Sequence, residues 1–249
     1  MMTRDLQAIR QKARELARGC RLSFYCVYER ENGLSRENFH NNPMLVRLRE
    51  DILPFIRGGY GHGIEHCKTV SIEAGALTLI ETENFPMRTR KRLCLLAQCA
   101  GLLHDICRLE GEHARRGAEL SREILSDYPL DGDEVKTIDF AIRNHEAFTI
   151  PQSPPDAASA IVSNCLYDAD KFRWGPDNFN TTLWEICDFK DWHLGSLIRI
   201  FPDGLSKIRE IKDTFRTATG RMHGPDFIDC GLQVGKEIYR LMLRAQSSN

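Results

Sequence analysis

No apolar run in this chain approaches the roughly 20 residues that a bilayer-spanning helix needs, so no transmembrane segment is expected. The first residues, Met-Met-Thr-Arg-Asp-Leu-Gln, lack the basic-then-apolar order of a secretory signal. Neither sign of charge is in excess: Lys and Arg total 34 against 35 for Asp and Glu, a formal net charge of −1. That balance offers no electrostatic signal for a nucleic-acid backbone or an anionic membrane. A soluble, cytoplasmic protein is the expectation. Strand-like alternation is nearly absent, and no internal repeat is present. No Gly-x-Gly-x-x-Gly or Walker-type loop occurs, which removes the usual glycine-rich phosphate cradles. The nine cysteines form no Cys-x-x-Cys pair. Most have apolar neighbours, so buried reduced thiols are expected rather than a disulfide framework or a zinc ribbon.

What the chain does have is helical periodicity. Its 249 residues suit one domain, 1–249, with a substantial core. Thr3 can cap a first helix carrying Leu6, Ile9, Ala13 and Leu16 on one face, with Gly19 ending it. The stretch from Cys20 to Asn42 reads as irregular, a long loop or an insertion. Helices are expected over Pro43–Phe55, from Ile64, over Met87–Ile106, from Glu112, from an Asp131 or Asp133 cap, and over Ala157–Phe172. The C-terminal third reads as helical over Thr182–Phe201, amphipathic over Gly204–Thr217 and helical again over Phe227–Ala245. Arg221-Met222-His223-Gly224-Pro225 reads as a loop with a surface histidine. The fold class is all-α, a helical bundle or orthogonal array.

One dipeptide conflicts with this apolar pattern. His104 and Asp105 close the stretch Leu93-Cys94-Leu95-Leu96-Ala97-Gln98-Cys99-Ala100-Gly101-Leu102-Leu103. Burying an unpaired polar group costs roughly 2–7 kcal/mol, and a metal ion is an economical partner for an imidazole beside a carboxylate. His66, His113 and His145 also fall on apolar faces of separate helices. A single such histidine reads as a hydrogen-bonded core imidazole. Four on consecutive helices, with Asp105 and the pair Asp168 and Asp170, point to one shared site. Imidazole and carboxylate suit first-row divalent metals: iron, manganese, cobalt, nickel and zinc are all admissible. Six ligands exceed one four-coordinate zinc and fit two ions bridged by Asp105.

The ordered set resembles the HD-domain superfamily of metal-dependent phosphohydrolases, whose pattern is His, then His-Asp, then a distant Asp. Here it reads His66 in Gly63-Ile64-Glu65-His66, then His104-Asp105, then Tyr167-Asp168-Ala169-Asp170-Lys171-Phe172. His113 and His145 look like the two further histidines of dinuclear members. The resemblance covers about residues 60–175, the HD-like core, with N- and C-terminal helices packed around it. It implies a central metal site with His66, His104, Asp105, His113, His145 and Asp170 as ligands. Asp170 is preferred as the last ligand because Ala-Asp-x-hydrophobic is the family context. Asp168 is the alternative, or a partner that orients a histidine.

The implied activity is hydrolysis of a small phosphorylated substrate, often a nucleotide, by a hydroxide bridged between two divalent ions, magnesium not being distinguished from the metals above. Lys171 and His62, in the glycine-rich turn, are candidate catalytic contacts to phosphate beside Asp105. Their plain alternatives are a solvated lysine and a loop histidine. Arg108 and the pair Arg115-Arg116 are further candidates, with solvated helix charge as the simpler reading for at least two of them. Asp188, Asp191 and His193 share no helix face and receive no role. Two other classes stay open: a di-iron oxygenase of the same fold, separable by colour and electron paramagnetic resonance, and a non-catalytic nucleotide-sensing module. The complete ligand set argues against the module. A homo-oligomer is allowed and not specified.

Overall fold

The computed structural model describes residues 4–56 and 63–247. Thr3, and His62 with the glycine-rich turn up to it, lie outside the described residues. Twelve α-helices, and no strand, are present among those described: α1 Arg4–Arg18, α2 Ser23–Val27, α3 Glu29–Asn41, α4 Pro43–Ile52, α5 Ile64–Glu81, α6 Met87–Leu103, α7 His113–Leu125, α8 Gly132–Arg143, α9 Ala157–Phe172, α10 Leu183–Lys190, α11 Leu194–Glu210 and α12 Ala218–Ser247. None is long and apolar enough to cross a membrane.

Local signals set most of these boundaries. The Asn42 side chain accepts from Met44 N at 3.0 Å and Pro43 fills the first turn of α4, where its missing N–H is not needed. Asp131 and Glu134 form a reciprocal capping box at the start of α8, which satisfies two backbone donors that would otherwise lack partners. Asp156 caps α9 by accepting from Ser159 N at 2.8 Å.

The centre of the molecule is α6, whose residues Leu93 to Leu103 are all buried. It lies between α5, α8 and α9. The crossing of α5 and α6 depends on Gly101, since a Cβ there would sit 2.5 Å from Ser71 Cα. Close backbone approach of this kind is open only to glycine. Around this centre α12 packs on α1, α9 and α11.

Four sequence expectations are corrected. Cys20–Asn42 is two helices, not a loop. Its helical signal is hidden because α3 buries Asn32 and Ser35 alongside Phe39, and these polar groups are satisfied within the core. Gln98 of α6 donates to the Ser35 carbonyl at 2.7 Å and accepts from Asn38 at 2.6 Å. Thr182–Phe201 is broken in two at Asp191, whose φ of 48° is left-handed and ends α10. The last helix starts at Ala218 and runs through the expected loop, with Pro225 inside it and His223 buried. Gly224 permits this, because a Cβ there would meet the Phe215 ring at 2.3 Å. Finally, Cys20 and Cys230 form a disulfide across 210 residues of sequence, tying the chain before α2 to α12. The other seven cysteines are free and six of these are buried.

Candidate metal centre

Five helix ends, those of α5, α6, α7, α8 and α9, converge on the cluster. His66 sits in the first turn of α5, and His104 follows the last turn of α6 with Asp105 next to it. His113 opens α7, His145 lies just beyond α8, and Asp170 occupies the last turn of α9. Helix ends are where a chain leaves the regular ladder, so ligands placed there can turn inward without breaking helical hydrogen bonds.

Backbone carbonyls fix two of the rings. His104 Nδ1–H donates to the Gly101 carbonyl at 2.8 Å, and His145 Nδ1–H donates to the Ile142 carbonyl at 2.6 Å. Each ring uses the carbonyl three residues before it, which leaves Nε2 as the lone-pair nitrogen aimed into the site. His113 is held by a carboxylate instead: its Nδ1 lies 2.9 Å from Glu146 Oε1. Glu146 was not singled out from the sequence. It carries no periodic signal beyond the end of α8, and only its adjacency to His145 could have drawn notice.

The donor atoms fall into two groups that share Asp105. His66 Nε2 and His104 Nε2 lie 3.2 Å apart. They are 3.6 Å and 3.4 Å from Asp105 Oδ2, and 3.4 Å and 3.8 Å from Asp170 Oδ1. On the other side, His113 Nε2 and His145 Nε2 are 3.3 Å apart. They lie 3.7 Å and 3.5 Å from Asp105 Oδ1. These two clusters, His66–His104–Asp105 and Asp105–His113–His145, are possible metal-holding groups.

The spacing is a direct test of fit. Two imidazole nitrogens bound at 2.0–2.1 Å to one tetrahedral ion lie about 3.3 Å apart. Both His–His pairs have that separation, and in one ring of each pair the facing nitrogen has no proton to offer. In the His113–His145 pair both Nδ1 atoms face acceptors, so the two Nε2 lone pairs face each other and a cation beside them relieves the repulsion. The His and Asp residues present fit divalent metal ions.

Charge states follow from burial and neighbours. Burial holds His66 below the usual histidine range, and the adjacent His104 adds to this. Burial also acts to lower His104, but the charge and hydrogen bond of Asp105 outweigh it and the ring lies above its ordinary value. His113 falls to about 4 through burial, reinforced by His145. Burial would raise Asp170, yet Lys171 and the two histidines hold it well below the carboxylate range.

The alternatives left by the sequence now separate. Asp170 joins the His66 and His104 group. Asp168 points away from it and accepts from Arg216 N and Thr217 N, both at 2.8 Å, and from Thr217 Oγ1 at 2.7 Å, anchoring the turn before α12. Lys171 is buried, pairs with Asp170 and donates to the His145 carbonyl at 2.9 Å, so it is not a solvated lysine. Arg108 Nη1 donates to His113 Nε2 at 3.0 Å and lies 3.8 Å from Asp105 Oδ1. Arg115 and Arg116 pair with surface glutamates, as solvated charges do. His223 bonds Ser23 Oγ at 2.8 Å, within the core and apart from the cluster.

The centre opens into a cavity of about 660 Å³ whose floor is formed by His66, Asp105, His113, His145 and Asp170. The opposite wall comes from residues 174–208. Comparison with family models, with curated proteins and with solved structures found no match. The chain is thus defined by its own geometry: an all-helical protein with a buried His/Asp cluster arranged as possible metal ligands.

Proposed function

We propose that this protein is a metal-dependent phosphohydrolase of HD-superfamily type, acting on a small phosphate ester at two divalent ions. The observation that carries the reading is the division of Asp105, with Oδ2 facing His66 and His104 and Oδ1 facing His113 and His145. Bound divalent ions supply an activated water and neutralise phosphate charge.

The chain's own residues do the rest. The Gly101 and Ile142 carbonyls keep His104 and His145 in the ligating tautomer. Lys171 holds Asp170 ionised and orients its carboxylate through a direct ion pair. Arg108, next to Asp105 and on the cavity surface, presents guanidinium N–H groups to a non-bridging phosphate oxygen, a charge-assisted contact well matched to phosphate geometry. Positioning and charge neutralisation are the main requirements of phosphoryl transfer.

The test is metal analysis of the purified protein combined with phosphate release from p-nitrophenyl phosphate. Wild type is expected to hold two ions and turn over, and Asp105→Asn to hold at most one and lose at least a hundredfold in kcat. Full turnover by Asp105→Asn would overturn the reading. Two observations favour a second reading, oxidation by a di-iron pair: the donor set suits iron, and most of the cavity wall is apolar. A mixed-valent electron paramagnetic resonance signal that changes on exposure to substrate and dioxygen would select it.

A further inference from the structure

The cavity is chemically divided. Its ionisable residues other than Lys207 gather at the metal-cluster end, whereas the far wall is built by α10, α11 and the turn before them. Along α11, Leu197, Ile200, Phe201, Gly204, Leu205 and Ile208 face the cavity at steps of three, one, three, one and three, a continuous helical stripe.

Part of this apolar surface is not used by the fold. Phe148 is 47% and Ile200 39% exposed while lining the cavity. None of Phe148, Ile200 and Ile186 is part of the buried core, and Phe148 meets the Trp174 ring edge-on with 6.1 Å between centroids. Apolar side chains directed at a solvent-filled cavity keep a driving force for burial that an apolar guest can satisfy.

The cations on the cavity surface are mostly engaged. Arg173 pairs with Glu73 and Asp177, Lys171 with Asp170, and Lys207 with Glu210 while lying 4.0 Å over the Phe148 ring. Such a lining suits one anionic head at the cluster and an uncharged body beyond it. A polyphosphate or a nucleoside, with many charges or hydrogen-bonding edges to satisfy, matches it poorly.

We infer that the substrate is an amphiphilic phosphate monoester, with its phosphate at the His/Asp cluster and an alkyl or aryl body lying along the α11 stripe. This rests on the phosphohydrolase reading for the chemistry of the head group and on the cavity wall for the body.

Two measurements separate the two parts. Calorimetric binding of ethyl-, butyl-, hexyl- and decylphosphonate to the metal-loaded protein reports the body without turnover. Affinity is expected to rise about fourfold for each methylene taken into the cavity. Gly204 offers a clean obstruction, since a Cβ there meets nothing within 4 Å, and Gly204→Phe is expected to lower the decyl-to-ethyl affinity ratio at least tenfold. Affinity independent of chain length, or tighter binding of adenosine monophosphate than of decylphosphonate, would overturn the inference. Phosphate release from the matching alkyl phosphates then reports the chemistry. Chain-length-dependent binding with no release from any ester would refute phosphohydrolysis and still support an amphiphilic occupant.

Discussion

Glu146 gives the sharpest prediction because it touches only one half of the centre. Its carboxylate lies 2.9 Å from His113 Nδ1, and His113 faces Asp105 Oδ1, not Oδ2. Replacing Glu146 with Ala removes the partner that orients the ring and raises its basicity. Loss of such an outer partner typically lowers metal affinity about 10–100-fold. The Glu146 side chain is 34% exposed, so water replaces part of what is lost and the effect belongs near the lower end, about tenfold or ~1.4 kcal/mol. Glu146→Gln keeps an acceptor oxygen and loses the charge, so it should fall between wild type and Ala. Stepwise chelator competition on protein loaded with two ions reads the two affinities separately. Only the ion held by His113 and His145 should weaken, while the ion on the His66 side keeps its affinity within twofold. Equal weakening of both, or no weakening of either, would refute the assignment of Glu146 to one half of a divided centre.

Three other outcomes follow from the same geometry. Asp170→Asn should reduce bound metal with little loss of helicity, whereas Asp168→Ala should keep the metal and destabilise the fold by at least ~2 kcal/mol, because it strands buried donors of Arg216 and Thr217. Urea unfolding and metal analysis on both variants give the comparison, and a reversed pattern would exchange their roles. Gly101→Ala pushes a Cβ against the Ser71 backbone, an overpacking that costs about 1–3 kcal/mol and lowers the melting temperature by roughly 2–12 °C in a protein of this size. A melting temperature unchanged within a degree would mean that the two helices separate easily. Acid should release metal from the His66 and His104 side first. His104 lies above its ordinary range, so protons compete for it as pH falls through mildly acidic values even though its neighbour His66 lies below its own range, whereas burial and His145 hold His113 below its ordinary range. Chelator competition between pH 7.5 and 5.5 checks the order, and simultaneous release of both ions would contradict it.

The histidine pattern was legible because burial makes it costly: an imidazole on an apolar helical face needs a partner, and periodicity shows the face. The same logic placed α5 to α9 close to their observed bounds. It failed where the signal is not periodic. α3 reads as a loop because Asn32, Ser35 and Asn38 occupy inward or bridging positions: Asn32 donates back to the Tyr28 carbonyl, while Ser35 and Asn38 find partners on α5 and α6 that only the fold supplies. The start of α12 is masked by Gly224-Pro225, a pair that normally breaks helices but here lets Phe215 approach. The Cys20–Cys230 bond spans 210 residues, and pairing over that separation leaves no spacing to read. Glu146 lies outside any helix, so its role is set by where α8 ends and not by its own neighbourhood in sequence.

The donor atoms all come from residues 66–170, and the apolar wall of the cavity comes mainly from residues 174–208. In the proposed enzyme, reactivity and fit are therefore written in consecutive, separate stretches of one chain. Substitutions along α11 can reshape what the cavity accepts while the Gly101 and Ile142 carbonyls go on holding the same two rings, so a new guest can be accommodated without rebuilding the centre that acts on it.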